Sequence, residues 1–300
     1  MKRLGIFFFY DKDGIVGDYV SYYLNSIKPH LSYLIVVING KINAEGKRKF
    51  EEFADEILVR ENAGYDSWAY KFAMTHYGYE NLKKFDELLL FNFTCYGGVY
   101  SFEPMFEEMR KRKCDCWGHA YYPFRRNCVV SKMQKTPFIP EHLMSYFMII
   151  RKRMLADISW KQYWDTLEYP RSHGDAVVVN ELRFTQYFEN RGFVLDAWIP
   201  KEETYNYPEQ QINFLAGKML LEEYKSPLVK RKLFFIEYPN LIANGAGMQP
   251  CEVLDFIAKN TAYDENMIWG DLIRTQHVSV LHRNLHLKYI LPENIIENKP

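Results

Sequence analysis

Short apolar runs alternate with amphipathic stretches through roughly the first hundred residues, and this alternation restricts the fold more than any other feature of the chain. The apolar runs predict strands at Leu4–Tyr10, Tyr33–Ile38, Ile57–Val59 and Glu87–Phe93. The stretches between them predict helices at Gly17–Ile27, Ala44–Ala54 and Asp66–His76, with Asp66 available as an N-cap. Strands and helices that alternate at this spacing form a parallel sheet with right-handed crossovers. The sequence therefore predicts an α/β fold with a Rossmann-type, mostly parallel sheet flanked by helices.

The rest of the chain predicts further strands and then helices. Apolar runs lie within Cys114–Tyr121 and Ser145–Arg151, and Asn180–Arg191 has helical periodicity. After a break rich in turn formers, helices are predicted around Cys251–Lys259 and Gly270–Leu285. We expect a core at residues 1–238 and a C-terminal helical appendage at residues 239–300, packed on the core and not an independent domain.

Polar, glycine-containing loops follow each of the four predicted N-terminal strands. Because ligands bind at the carboxyl ends of parallel strands, these loops are expected to line one rim. The candidate binding residues in them are Tyr10, Asp11, Asn39, Glu61, Asn62, Gly64, Asp66, Asn92 and Thr94. Turn chemistry alone accounts for any one loop, whereas four such loops on one rim predict a binding site.

Composition excludes some classes of function. Lys plus Arg equals Asp plus Glu at 38 each, so the basic surplus typical of nucleic-acid binding is missing and no nucleic-acid partner is expected. The five cysteines have no metal-ligand spacing, and no G-x-G-x-x-G follows the first strand, which disfavours a dinucleotide oxidoreductase. Aromatic residues make up 17% of the chain; they fill cores, and their faces also suit sugar rings.

Membrane contact, if any, is expected to be peripheral. The N-terminal apolar run is only about six residues long and is too short for a signal peptide or a membrane span. We expect a cytoplasmic protein that can associate with the inner face of the cell membrane. Two basic segments are candidates for that contact, with a solvated surface as the alternative. They are the run Lys230-Arg231-Lys232 and a tail with Arg274, His282, Arg283, His286 and Lys288.

Six segments, in order along the chain, together resemble the rhamnan synthesis F family of rhamnosyltransferases. They are RENAGYDSWAYK (Arg60–Lys71), DELLLFNFTCYGG (Asp86–Gly98), CDCWG (Cys114–Gly118), HLMSYFMIIRKRML (His142–Leu155), NELRFTQYFENRGF (Asn180–Phe193) and RTQHVSVLHRNLHLKYILP (Arg274–Pro292). The resemblance implies a GT-A-like fold and an inverting transfer of L-rhamnose from dTDP-rhamnose to a cell-surface polysaccharide, with a lipid-linked glycan as acceptor. Two alternatives stay open: another nucleotide sugar as donor, or a non-catalytic glycan-binding or assembly protein that retains the fold.

The resemblance also implies roles for individual residues. In related transferases an E-N-x-G loop after the third strand lies along the nucleotide and its sugar, and Glu61, Asn62, Gly64 and Asp66 match that loop. The family tends to show Asn-Asp-Ser where this chain has Asn92-Phe93-Thr94.

Phe93 cannot bind a metal, so we expect no metal ligand and no certain cofactor. A Mg²⁺ or Mn²⁺ ion would need another carboxylate. Without a metal, other groups must neutralise the leaving diphosphate. The candidate cations are Arg60, Lys71 and the pair Arg125 and Arg126, whose guanidiniums suit phosphate if they are not simply a solvated turn.

Glu181 is the predicted catalytic base. Inverting sugar transfer needs a carboxylate that takes the proton of the acceptor hydroxyl. The NELRFTQYFENRGF helix looks like the helix that begins with this carboxylate in related enzymes, although a Glu at a helix N-terminus is also ordinary. Asp175 is the reserve candidate. His119 and His142 are candidate acceptor-binding residues, with a structural role as the alternative.

Overall fold

A seven-stranded sheet forms the centre of the computed structural model, which describes residues 1–207, 211–236 and 249–282. In chain order the strands are β1 (Arg3–Tyr10), β2 (Tyr33–Asn39), β3 (Glu56–Arg60), β4 (Glu87–Asn92), β5 (Cys95–Gly97), β6 (Cys116–Gly118), β7 (Tyr121–Tyr122), β8 (His142–Leu143), β9 (Phe147–Arg151), β10 (Leu195–Ala197) and β11 (Leu228–Lys230). The large sheet has the order β10-β6-β9-β4-β1-β2-β3. Only β9 runs antiparallel to its neighbours in this sheet, so the predicted mostly parallel α/β architecture is confirmed.

Helices cover both faces of this sheet. They are α1 (Asp18–Ile27), α2 (Ala44–Glu51), α3 (Tyr65–Tyr77), α4 (Tyr79–Leu82), α5 (Glu103–Lys111), α6 (Lys152–Ala156), α7 (Ile158–Asp165), α8 (His173–Val177), α9 (Arg183–Glu189), α10 (Lys201–Tyr205), α11 (Ile212–Leu215), α12 (Gly217–Glu222), α13 (Gln249–Asn260) and α14 (Asn266–Arg274). A π-helical turn, Val178–Leu182, joins α8 to α9, and 3₁₀ turns lie at Lys28–His30 and Arg231–Phe235.

The alternating side chains of β1 divide the core into two layers. Phe7 and Phe9 belong to one buried cluster with residues of α1, α2 and α5, while Ile6 and Phe8 belong to the other with residues of α3, α7 and α9. Both faces of the central strands are therefore apolar, as parallel strands covered on both sides require. The chain places its polar residues at the strand ends instead.

Three local predictions were wrong in detail. Helix α3 begins at Tyr65 with Gly64 as its N-cap, so Asp66 lies in the first turn and is not the cap. The helical run around Glu181 begins at His173, so Glu181 lies inside that run and not at a helix start. The segment Cys114–Tyr121 contributes to two short strands, β6 and β7, which belong to different sheets.

The C-terminal helices α13 and α14 contribute Val253, Ile257 and Leu272 to the same buried cluster as Phe7. Asp271 of α14 accepts hydrogen bonds from Arg231 and from the hydroxyl of Tyr96. The boundary predicted at residues 238 and 239, the end of the helix predicted at Gly270–Leu285, and Arg283, His286 and Lys288 lie outside the described residues. Within residues 1–207, 211–236 and 249–282, no helix has both the length and the apolar character needed to cross a bilayer.

Candidate functional site

A cavity of about 730 Å³ opens where β1 and β4 end and α3 begins. Its walls also come from the loop before β9, from α8 and the π turn, and from the end of β11. The predicted site residues that line it are Tyr10, Asn62, Gly64, Asp66, Asn92, Thr94 and Glu181. Elements from distant parts of the chain thus bring most of the predicted loop residues and the predicted base into one cavity.

Gly64 sets the direction of the loop after β3. Its φ of 71° lies in the left-handed region, and a Cβ there would stand 2.5 Å from the side chain of Trp68. Only glycine fits these two conditions. The turn delivers Asp66 to the cavity wall in the first turn of α3.

The Asp66 carboxylate is held by two donors. Oδ1 accepts from the backbone N–H of Ser67 at 2.8 Å, and Oδ2 accepts from the amide of Asn92 at 3.3 Å. Burial, followed by the nearby charge of Glu181, raises the pKa of Asp66 to about 6. Asp66 is therefore a carboxyl that can take up or release a proton close to neutral pH.

The Glu181 carboxylate is fixed more firmly. Its Oε1 accepts from both the N–H and the hydroxyl of Ser145, each at 2.9 Å, and its Oε2 lies 3.5 Å from Nε2 of His142. Burial opposes ionisation, but His142 and the two Ser145 donors outweigh it and lower the pKa of Glu181. The geometry gives an ionised, oriented carboxylate at neutral pH.

The π turn explains how Glu181 reaches the cavity from within a buried helical run. Val178, Val179 and Leu182 point into the two cores, whereas Glu181 faces the cavity. A π turn adds one residue to a helix, and such turns occur often at functional sites. The extra residue changes which side chains face the cavity without ending the helix.

The end of β4 supplies amide, hydroxyl and aromatic groups. Asn92 Oδ1 accepts from the N–H and the hydroxyl of Thr94 at 3.1 and 2.5 Å. Phe93 lines the cavity and packs against Phe8 and Phe9, with ring centroids 5.7 and 5.6 Å apart. Lys230, at the end of β11, donates to the Thr94 hydroxyl at 3.0 Å.

Other predicted binding residues lie outside the cavity lining. Asp11 accepts from the N–H groups of Asp13 and Ile15, and its Oδ2 lies 2.8 Å from Nη1 of Arg274. Asn39 is buried and accepts from Nη1 of Arg60 at 2.7 Å. Asp11 and Asn39 therefore support the structure of the rim. Glu61 is exposed beside the cavity loop.

The four cations predicted to face a diphosphate also lie outside the cavity lining. Nη1 of Arg60 donates to Oδ1 of Asn39 and to the carbonyl of Ala63. Lys71 donates to the carbonyl of Asp165 at 3.2 Å. Arg125 pairs with Ile139 in an isolated bridge at the base of a surface loop, and Arg126 is exposed on that loop.

The two histidines and Asp175 form hydrogen bonds with the segments around the cavity. His119 is buried between the Tyr146 hydroxyl (2.7 Å) and Ser226 Oγ (2.8 Å), and burial followed by the charge of Lys230 lowers the pKa of His119 to about 3. His142 is buried beside Glu181, stacks on Tyr122 and donates from Nδ1 to the carbonyl of Pro140. Asp175 forms a capping box with Ser172 and is not among the residues that line the cavity.

The sequence interpretation missed several cavity residues, of which Lys230 is the most informative. The basic run Lys230-Arg231-Lys232 was a candidate for a membrane-facing or solvated surface, and neither prediction holds for its first two residues. Lys230 lines the cavity, and Arg231 is buried in a two-bond pair with Asp271. The signal was the apolar sequence on both sides of the run, LV before it and LFF after it, which is typical of a buried segment. Other polar and aromatic lining residues that were missed include Ser145, Tyr146, Tyr169, Arg171 and Gln211.

The described part of the chain contains no group of three or more His, Cys, Asp or Glu side chains arranged to hold a metal ion. The cavity carboxylates are Asp66 and Glu181, and each already has hydrogen-bond donors of its own.

Comparison with solved structures finds similar chains at 10% sequence identity. S. aureus TarS residues 1–349 matches with a TM-score of 0.39, covering 89% of this chain and 68% of that one. A 4-diphosphocytidyl-2C-methyl-D-erythritol synthase from Anaerococcus prevotii matches with a TM-score of 0.40 over 65% of this chain and 85% of that one. A cytidylyltransferase from Leptospira borgpetersenii matches with a TM-score of 0.37 over 66% and 76%.

Comparison with curated proteins finds no match. Among protein families, rhamnan synthesis protein F matches residues 34–300. The match covers far more than half of the chain, including every element that lines the cavity except β1. The chain belongs to the rhamnan synthesis protein F family.

Proposed function

We propose that this protein is an inverting glycosyltransferase that transfers L-rhamnose from dTDP-rhamnose to a lipid-linked glycan at the cytoplasmic face of the membrane. Family membership supports the general activity, a glycosyltransferase of cell-surface polysaccharide synthesis. One observation carries the proposed inverting mechanism: the Glu181 carboxylate, held by Ser145 and His142, faces a cavity at the carboxyl ends of parallel strands.

The donor fits the side of the cavity formed by β1, α3 and β4. A volume of about 730 Å³ suits a nucleotide sugar. Gly64 lets the backbone approach the ligand, while Asn62 and Asp66 offer amide and carboxylate groups to its hydroxyls. Tyr10, Tyr146 and Tyr169 supply aromatic faces for a sugar or a base. This arrangement supports a GT-A-like donor site.

Glu181 acts as the base in the proposed reaction. The acceptor hydroxyl attacks the anomeric carbon from the face opposite the diphosphate, and its proton passes to Glu181 as the bond to the diphosphate oxygen breaks. The electron pair of that bond leaves with the diphosphate. Ser145 and His142 orient the carboxylate and keep it ionised, so that it meets the acceptor ready to accept the proton.

We also propose that the reaction needs no divalent cation. Phe93 stands where the family tends to place an acidic residue, and its aromatic side chain cannot ligate an ion. The charge of the leaving diphosphate then has to be balanced by protein cations.

Replacement of Glu181 by Gln tests the proposed base. The variant keeps the shape of the side chain and removes the proton acceptor, so turnover should fall by about 10²–10⁴-fold while the Kd for dTDP-rhamnose changes by less than about twofold. Single-turnover rates and calorimetric titration, each with and without magnesium and with UDP-glucose as the competing donor, measure the two effects. Glu189→Gln, farther along the same helical run and outside the cavity lining, is the matched control. Unchanged turnover in Glu181→Gln would contradict the assignment.

Phe93 also motivates a second candidate, a non-catalytic glycan-binding or assembly protein. That protein would bind glycan and release no dTDP from dTDP-rhamnose under any acceptor condition. Transfer by the wild-type chain excludes it, and glycan binding without donor binding favours it.

A further inference from the structure

We infer that Lys230 forms the diphosphate subsite of the cavity and supplies the positive charge that a divalent cation would otherwise provide. This inference rests on the proposed function, because it assumes a nucleotide-sugar donor. It adds a residue that the sequence interpretation had assigned to the surface.

The position of Lys230 matches that role. Its Nζ donates to the Thr94 hydroxyl at 3.0 Å and lies 4.0 Å from the ring centroid of Tyr146. Thr94 follows Phe93 just after β4, so the ammonium group lies beside the position at which the family tends to show an acidic residue. Lys230 and Asp66 line the same cavity, and the charge of Lys230 partly offsets the burial and the Glu181 charge that raise the pKa of Asp66.

Within residues 1–207, 211–236 and 249–282, Lys230 forms no ion pair with a carboxylate. Glu181 is held by Ser145 and His142, and Asp66 by Ser67 and Asn92. An ammonium group has three N–H donors, and the Thr94 hydroxyl accepts one of them. Lys230 therefore has donors left for an anion in the cavity.

One neighbouring side chain extends this positive region. Arg171 lines the cavity with Lys230 and carries a second positive charge. His173 also lines the cavity, but burial and the charges of Lys232 and Lys230 lower its pKa, so its imidazole offers a hydrogen bond and not a positive charge. A diphosphate spreads its charge over several oxygens, so it can accept hydrogen bonds from several of these donors at once. A ligand with a single carboxylate has fewer oxygens to offer them.

The backbone that carries Lys230 is fixed. Lys230 pairs with Cys95 in the antiparallel β5 and β11 ribbon, and the N–H of Arg231 donates to the carbonyl of Thr94 at 3.0 Å. The Arg231 side chain is buried against Asp271 through bonds of 2.9 Å from Nε and Nη2. Lys230 is thus preorganised before the ligand arrives, which favours stabilisation of charge that develops on the leaving diphosphate.

The arrangement also disfavours a metal ion at this place. A divalent cation bound to the diphosphate near Thr94 would be repelled by the Lys230 ammonium. Phe93 offers no ligand to a cation, and the Lys230 ammonium supplies positive charge at the same place.

Binding of nucleoside diphosphates to the full chain tests the subsite. The probes are dTDP, UDP and GDP with their nucleosides, titrated by calorimetry or NMR into wild type, Lys230→Met, Lys230→Arg and Lys218→Met. Lys218 lies on α12, outside the cavity lining, and serves as the matched control. We expect Lys230→Met to weaken the best diphosphate by about 10- to 100-fold, with nucleoside affinity unchanged. Lys230→Arg should recover part of the loss, and chelation should not change wild-type affinity.

Three results would count against the inference. Equal diphosphate affinity in Lys230→Met and wild type would overturn the role of Lys230 and leave the proposed function standing. A parallel loss of nucleoside affinity in a folded Lys230→Met chain would show general damage to the site and also overturn it. A wild-type chain that binds none of the three diphosphates would contradict the proposed function, and the subsite with it.

Discussion

At the scale of single residues, the two cavity carboxyls have opposite environments. Burial and the charge of Glu181 raise the pKa of Asp66, while His142 and Ser145 outweigh the burial of Glu181 and lower its pKa. Just below pH 6, Asp66 is therefore mainly protonated while Glu181 stays ionised, and such separation of neighbouring carboxyls is typical of catalytic sites. Because folding raises the pKa of Asp66, the ionised Asp66 carboxylate lowers the stability of the folded chain above pH 6.

Replacement of Asp66 by Asn should therefore stabilise the protein above pH 6. The unfolded carboxyl ionises near its ordinary value of 3.8, whereas the folded one ionises only near pH 6. Stability should fall as pH rises between these values, and the loss should be complete above pH 6. The Asn variant cannot ionise, so its gain should be about 1–3 kcal/mol at pH 7.5 and should vanish near pH 3. Urea unfolding across pH 3–8 measures this difference.

Asp115 provides the control of opposite sign. Its hydrogen bond with Arg153 lowers the pKa of Asp115, so Asp115→Asn should destabilise the chain at neutral pH. Two results together would contradict a raised pKa for Asp66. The Asp66→Asn variant would be less stable than wild type at pH 7.5, and its free energy of unfolding would depend on pH as strongly as that of wild type.

At the scale of secondary-structure elements, the N-terminal half of the fold could be predicted because its signals are local. The strands predicted at Leu4–Tyr10 and Tyr33–Ile38 match β1 and β2 within about one residue, since continuous apolar runs bounded by polar loops mark buried parallel strands. The π turn could not be predicted in this way. Its extra residue interrupts the 3.6-residue periodicity, so the sequence predicts a helix that starts at Asn180-Glu181 and not one that passes through them.

In the site, too, residues marked by local sequence could be predicted and residues placed by long-range contacts could not. Asn62, Gly64 and Asp66 lie in one loop and could be recognised from local sequence. Lys230 could not, because its partner Thr94 is 136 residues away and the contact depends on the pairing of β11 with β5. Ser145 and Glu181, 36 residues apart, meet only because the loop before β9 packs against the π turn.

A glycine controls how the surface loop at residues 125–139 sits on α8. A Cβ at Gly174 would stand 2.1 Å from the carbonyl oxygen of Val130, and Ser131 of the same loop donates to Asp175. Gly174→Ala should therefore push the loop from the helix and destabilise the chain by about 1–3 kcal/mol. Thermal unfolding and limited proteolysis of the loop measure this.

Gly270 of α14 is the matched control for that substitution. Nothing lies within 4 Å of a Cβ built there, and its φ is not positive, so Gly270→Ala should stabilise the helix by about 0.5–1 kcal/mol. Equal effects of the two substitutions, in either direction, would show that the contact with Val130 does not govern the result at Gly174.

At the scale of the whole molecule, we propose that residues 239–300 form an extension of the core and not a separate domain. The described helices α13 and α14 support this through Val253, Ile257 and Leu272, which share the cluster of the sheet. Polar contacts add to it, since Arg274 pairs with Asp11 after β1. An independent domain would bury its apolar residues within itself.

The pair between Arg231 and Asp271 joins this extension to the strand that carries Lys230. Both side chains are buried, and the Tyr96 hydroxyl donates to the same carboxylate at 2.8 Å. Arg231→Met should leave the buried Asp271 carboxylate with Arg274, 3.7 Å away, as its remaining cation and cost up to about 3–5 kcal/mol, and Asp271→Leu should cost a similar amount. The double variant should cost far less than the sum, because neither buried charge remains unpaired. Urea unfolding of the four proteins gives the coupling energy. Additive losses would show that Arg231 and Asp271 are not coupled, and that the fixed position of Lys230 does not depend on this pair.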